Sequence, residues 1–193
     1  MKQVCVYCGS NPGVLPQYRQ AAEALGSALA VQHIGLVYGG YGEGLMGVVS
    51  GAVLVKGGSV CGVTPRGLFG DGKPHAPNVQ LIEVEDMHAR KQKMMQLADA
   101  FIALPGGVGT YEELFETFSW AQLGLHQKPI GLLNTAGFFD PLLAMLQHTA
   151  EQGFMGRQAL GRLLVCDEPG LLLQQLAVAV PAAAVPGEIH QRG

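Results

Sequence analysis

Short runs that are apolar at every position recur along this chain, and amphipathic stretches separate them. A run that is apolar throughout, rather than at alternate residues, suits a strand covered on both faces. The candidate strands are Gln3–Tyr7, Leu36–Tyr38, Val60–Thr64, Leu81–Val84, Ala100–Leu104, Ile130–Leu133 and Leu163–Cys166. Between them lie candidate helices at Pro16–Gln32, Leu45–Lys56, Met87–Leu97, Tyr111–Leu123, Pro141–Glu151 and Leu171–Val178. Strand and helix in alternation require crossover connections. The expected fold is therefore α/β, a doubly wound, Rossmann-like parallel sheet with helices on both faces. Asp140-Pro141 reads as a helix start, with the aspartate as cap and the proline in the first turn.

The chain has 193 residues, enough for one domain with a substantial core. One domain is expected over residues 1–180, followed by a loose tail over 181–193 that lacks periodicity. Charged residues make up only 14%, against a usual ~25%. Glycine and proline, 28 and 11 residues, stay below the ~25–30% share that marks low-complexity chains. Twelve basic against fifteen acidic residues, with no basic block, speaks against a nucleic-acid or anionic-membrane partner. No apolar run reaches the ~20 residues of a membrane span, and the apolar core of MKQVCVYCGS is too short for a signal peptide. A cytoplasmic protein is expected. Cys5 and Cys8 form a CxxC, but it lies within and at the end of an apolar run, Val4–Tyr7, rather than at a helix start. Cys61 and Cys166 stand alone, so all four read as ordinary thiols and no metal site is expected.

In a doubly wound sheet, ligands bind beyond the carboxyl ends of the strands. Glycines cluster there: Cys8-Gly9-Ser10 after the first strand, Gly39-Gly40 after the second, Pro105-Gly106-Gly107 after the fifth. Tight turns need glycine in any such fold, yet three clusters on one edge point to a phosphate or nucleotide. Gly42-Glu43-Gly44-Leu45-Met46-Gly47 satisfies GxGxxG, but no acid stands between Glu43 and Asp71 to hold a ribose at the end of the next strand. A dinucleotide is therefore disfavoured, and no Walker A sequence is present. In Leu104–Glu113 a buried strand runs through a glycine-rich turn into a helix. The backbone N–H groups of Gly107, Gly109 and Thr110 would converge on an anion there. Thr110-x-x-Glu113 is equally a capping box, which would make Glu113 a helix-start residue only.

Arg90 decides between these readings. In Met87–Leu97 it falls on the apolar stripe of Met87, Met94 and Leu97, and a buried guanidinium needs an anion, either a structural carboxylate or a substrate. Lys91 and Lys93 read as solvated charges, with Lys91 bordering the stripe. On Tyr111–Leu123 the core stripe is Tyr111, Leu114, Phe115 and Phe118. Trp120 and Leu123 lie off it, as a second apolar surface suited to a homo-oligomer.

PGGVGTYEE, together with Met87-His88-Ala89-Arg90-Lys91, the Cys8-Gly9-Ser10 loop and GGYGEGLMG, resembles the motif set of the Lonely Guy family, in order, from Val4 to about Val165. That family comprises the cytokinin-activating phosphoribohydrolases, long labelled lysine decarboxylases. The resemblance implies hydrolysis of the N-glycosidic bond of AMP or an N6-modified AMP, giving a free base and ribose 5-phosphate. It implies Arg90 and Glu113 as the catalytic pair. Ser10, Gly40, Met87, Lys91, Pro105, Gly106, Gly107, Gly109 and Thr110 would bind the substrate or its phosphate. It further implies no metal or organic cofactor, and a homo-oligomer, a dimer first. A non-catalytic nucleotide or molybdenum-cofactor carrier, and a broader nucleotide nucleosidase, stand as alternatives.

Overall fold

A computed structural model describes residues 1–67 and 78–181. Seven strands form one parallel sheet: β1 (Gln3–Tyr7), β2 (Gly35–Tyr38), β3 (Val60–Pro65), β4 (Gln80–Val84), β5 (Ala100–Ala103), β6 (Ile130–Leu133) and β7 (Leu163–Cys166). Their order is β4-β3-β2-β1-β5-β6-β7. The chain thus winds outward in one direction from β1 and then in the other from β5. The expected doubly wound sheet is the observed one. All seven candidate strands are present, with ends shifted by one residue at most.

The helices are α1 (Pro16–Val31), α2 (Gly44–Val55), α3 (Met87–Leu97), α4 (Val108–Gln122), α5 (Asp140–Glu151), α6 (Arg157–Leu160) and α7 (Pro169–Ala179). Side chains alternate across the sheet. Val4 and Val6 of β1 and Ile102 of β5 join Leu25 and Leu29 of α1, Val49 and Val53 of α2 and Leu172 of α7 on one face. Cys5 and Tyr7 of β1 and Phe101 of β5 join Met94 of α3, Leu114 and Phe118 of α4 and Leu146 of α5 on the other. Two cores thus sandwich the central strands. The edge strand β4 departs from the pattern, because only β3 pairs with it and most of its side chains face outward.

Three local expectations are corrected, and one short helix, α6, carries no sequence signal. The cap of α5 is Phe139, not Asp140; Asn134 Oδ1 accepts from the Phe139 N–H at 2.7 Å, and Asn134 Nδ2 donates to Asp140 at 2.7 Å. With the carboxamide capping from outside, Asp140 occupies the first turn, where a negative charge suits the helix dipole. Helix α7 starts two residues before the expected Leu171, since Glu168 caps it through the N–H groups of Gly170 and Leu171. The single turn α6 is too short to show a period. Phe115, assigned to the core stripe, is exposed. The expected tail, from residue 182 onward, lies outside the described residues.

The sheet's winding reverses between β1 and β5, and there the glycine turns meet. The Gly9 N–H donates to the Pro105 carbonyl at 3.1 Å, and the Leu45 N–H donates to the Gly9 carbonyl at 3.0 Å. Gly44, at φ +59°, lies so close to this loop that a Cβ would stand 2.2 Å from the Ser10 carbonyl carbon. Gly44 therefore serves the approach of α2 to the β1 loop, while Gly47 packs against the Gly42 backbone of its own segment; both are packing roles.

Candidate active site

Helix α4 opens at the reversal point. Its cap is Gly107, no side chain caps it, and its first helical bond runs from the Tyr111 N–H to the Gly107 carbonyl. The N–H groups of Gly107, Val108, Gly109 and Thr110 precede that bond and lie beyond the intrahelical ladder. The capping-box reading is overturned: the helix begins three residues earlier than expected, so Thr110 and Glu113 lie inside it. The glycines of this turn have different reasons. At Gly106 a Cβ would stand 2.1 Å from Thr110 Oγ1 and 2.9 Å from the Gly9 nitrogen, so packing demands glycine. At Gly107 and Gly109 a Cβ would meet no atom within 4 Å. Packing does not ask for glycine there; the space in front of the helix end is open.

One turn beyond Thr110, Glu113 points inward and meets Arg90 of α3. The Arg90 Nη1–Glu113 Oε1 distance is 2.9 Å, with Arg90 6% and Glu113 8% exposed. Arg90 Nε also donates to the Val63 carbonyl of β3 at 3.0 Å. Both carboxylate and guanidinium are thus fixed by elements on opposite sides of β1. Gly39 makes this possible: a Cβ there would fall 1.9 Å from Arg90 Nη2. Burial pushes the Glu113 carboxyl above the usual carboxylate range, while the Arg90 charge pulls it back. Beside it, the Tyr7 hydroxyl and Thr117 Oγ1 lie 2.9 Å apart. Burial, reinforced by the Glu113 charge, raises the Cys5 and Cys8 thiols, so neither supplies a thiolate.

A cavity of about 260 Å³ holds Arg90, Glu113, Thr110, Gly109, Gly107 and Ser10 together, with Met46 and Cys8 on its wall. Pro105 and Gly106 line an adjoining cleft that shares Gly9, Ser10 and Gly107 with it. Gly40, Met87 and Lys91 do not line the cavity. Gly40 sits against Thr64 at φ +78°, and Met87 is partly exposed at the start of α3. Lys91 is the larger surprise: it is buried, not solvated, and its ammonium meets Glu112 and Glu116 of α4. Sequence reasoning missed Met46, whose place inside GxGxxG gave it no distinct signal. Among the described residues, no group of three His, Cys, Asp or Glu side chains could hold a metal ion.

This chain matches a family model described as "Possible lysine decarboxylase" over residues 46–176. It is 46% identical over 168 residues to the cytokinin riboside 5'-monophosphate phosphoribohydrolase LOG of Oryza sativa subsp. japonica, covering 87% of this chain and 69% of the relative. With the cytokinin riboside 5'-monophosphate phosphoribohydrolase of Rhodococcoides fascians it shares 46% over 170 residues, 86% of this chain and 85% of the other. The chain belongs to the Lonely Guy family. Among solved structures, the molybdenum cofactor carrier protein of Chlamydomonas reinhardtii superposes with a TM-score of 0.67 at 20% identity, over 92% of this chain and 98% of that one. The molybdenum cofactor binding protein of Rippkaea orientalis does so with 0.67 at 19%, over 94% and 99%. At that identity the likeness concerns the fold alone. Within this Lonely Guy member, no lysine among the described residues lines the cavity that holds Arg90 and Glu113.

Gly39→Ala tests how the pair is held. The clash is with the far end of a flexible side chain, so the variant should fold, with its guanidinium displaced. A crystal structure is expected to show Arg90 Nη1 beyond hydrogen-bond distance of Glu113. An undisturbed pair would mean that Gly39 is not what makes room for it.

Proposed function

We propose that this chain hydrolyses the N-glycosidic bond of a purine nucleoside 5'-monophosphate, AMP or an N6-modified AMP, releasing the free base and ribose 5-phosphate. The observation that carries the reading is the buried Arg90–Glu113 pair beside the open N-terminus of α4. It stands in a family whose named relatives are phosphoribohydrolases.

The residues suit each part of the reaction. The N–H groups at the start of α4 and the Thr110 hydroxyl bind the phosphate, where the helix dipole favours negative charge. Bare Gly107 and Gly109 leave room for it. With the phosphate held there, the sugar extends toward Glu113. Breaking the glycosidic bond builds positive charge on the ribose, and a carboxylate of low exposure stabilises that charge far better than one in water. Glu113 then orients the attacking water and accepts its proton. Arg90 favours the charged form of this carboxylate against its burial and, at the cavity wall, meets the phosphate or the departing purine. No cofactor enters the proposal.

Two copies of the chain are proposed to pair through α4. Val108, Phe115 and Leu123 fall on one side of that helix and are 84%, 36% and 70% exposed. Leu123 belongs to the surface expected with Trp120; Trp120 itself is partly buried and packs against its own core, and Val108 and Phe115 extend the surface. Val108 also lines the cavity, which brings the interface to the edge of the site. Among the described residues no helix is long and apolar enough to cross a membrane. The cytoplasm is the proposed compartment, in keeping with four free cysteines.

Incubation with AMP, an N6-substituted AMP and adenosine tests the reaction. Free base and ribose 5-phosphate should appear from the monophosphates, and adenosine should turn over at least ~10²-fold less efficiently, for want of the phosphate contacts. Equal turnover of adenosine would remove the phosphate role of α4. Sedimentation at micromolar concentration tests the pairing: a dimer is expected, and a monomer would count against it.

A further inference from the structure

Lys91 carries its ammonium into a low-exposure position and spends it on two carboxylates. Its side chain is 9% exposed, its Nζ contacts Glu112 Oε1, and Glu116 Oε1 lies at 3.2 Å. Both acceptors belong to α4, and Lys91 belongs to α3. Arg90 and Lys91 are consecutive, as are Glu112 and Glu113. The two helices are therefore joined by two adjacent charge contacts, one facing the cavity and one behind its wall. Two of the three ammonium protons are committed to α4.

We infer that Lys91 is a positioning residue: its bridge to Glu112 and Glu116 locks α3 onto α4 so that Arg90 meets Glu113, and it neutralises the Glu112 charge beside Glu113. The inference rests on the reaction proposed above only for its kinetic part. A substrate contact for Lys91, as the resemblance implied, is the alternative that the ribose 5-phosphate measurement separates from it.

The charges around Glu113 show what the bridge does. From α3 come Arg90 and Lys91; from its own helix comes Glu112, with Glu116 sharing the ammonium; from β1 and its loop come Tyr7, Cys5 and Cys8, all neutral. Arg90 and Lys91 favour the Glu113 carboxylate, whereas burial and Glu112 oppose it. Removing Lys91 takes away one favourable charge and leaves Glu112 unneutralised. Both changes push the Glu113 carboxyl further up. Burial alone would lower the Lys91 ammonium, yet its hydrogen bonds to Glu112 and Glu116 raise it, so the ammonium keeps its proton throughout the neutral range.

The test uses Lys91→Met and Lys91→Arg in the full-length protein, with two independent readouts. Carbon-detected NMR follows the Glu113 carboxyl through a pH titration. Lys91→Met should shift its midpoint upward by about half a unit or more, and adding Glu112→Gln should bring it back toward wild type. Lys91→Arg, which keeps charge and reach, should stay near wild type. In turnover of AMP, Lys91→Met should move the acid limb of kcat the same way, with KM and calorimetric binding of ribose 5-phosphate changed less than about twofold. An unmoved Glu113 midpoint would overturn the proposal. So would a tenfold loss of ribose 5-phosphate affinity, since that marks a phosphate ligand. The titration is independent of the reaction: a wild type that splits no nucleotide defeats the functional reading, while the Glu113 midpoint still judges the bridge.

Discussion

A guanidinium and a carboxylate placed together under the surface are the constraint around which this molecule is arranged. Removing two charges from water is costly, and an apolar pair of the same volume is often as stable or more so. Stability alone is a weak reason for Arg90 and Glu113, and the cavity beside them is where we propose that they act. Arg90 needs a carbonyl from β3, a carboxylate from α4 and a residue without a side chain at the end of β2. Those three elements are far apart in sequence, and the doubly wound sheet brings them to one edge.

The same edge explains why glycine is so frequent. Some glycines are required by contact, as at Gly39 beside Arg90, Gly44 beside Ser10 and Gly106 beside Thr110. Gly107 and Gly109 are not, and the open space before them is what the reading of an anion site uses. A GxGxxG pattern invited a dinucleotide reading, but Gly44 and Gly47 serve local backbone packing: a Cβ on Gly47 would stand 2.2 Å from the Gly42 carbonyl oxygen. The phosphate-binding part is assigned instead to the turn after β5.

Much of this was legible in the chain. Apolar runs marked the central strands because a sheet covered on both faces leaves no polar face to alternate with; β4, which carries Glu83, is largely exposed at the edge. Arg90 stood out as a charge on an apolar stripe. Lys91 did not, because helical periodicity places a residue on a face without saying what the facing helix offers; the two glutamates that receive it come from α4. Glu113 looked like a capping residue for a related reason. The turn before α4 is held by Gly9 against Pro105 and Gly106, and the helix starts three residues ahead of the local signal. Of the pair Trp120 and Leu123, Leu123 is exposed as expected, whereas Trp120 is partly buried against partners from elsewhere in the chain, and Val108 and Phe115 are exposed beside Leu123.

The central claim is that the Glu113 charge, and not merely its shape, acts on the sugar. Glu113→Gln removes the charge and keeps an oxygen that accepts from Arg90 Nη1, so the fold should persist by circular dichroism. Turnover of AMP measured on that folded variant tests the claim most directly. The account predicts a loss of about 10²-fold or more. Near-wild-type turnover would contradict it and leave the buried pair a structural feature of the sheet edge.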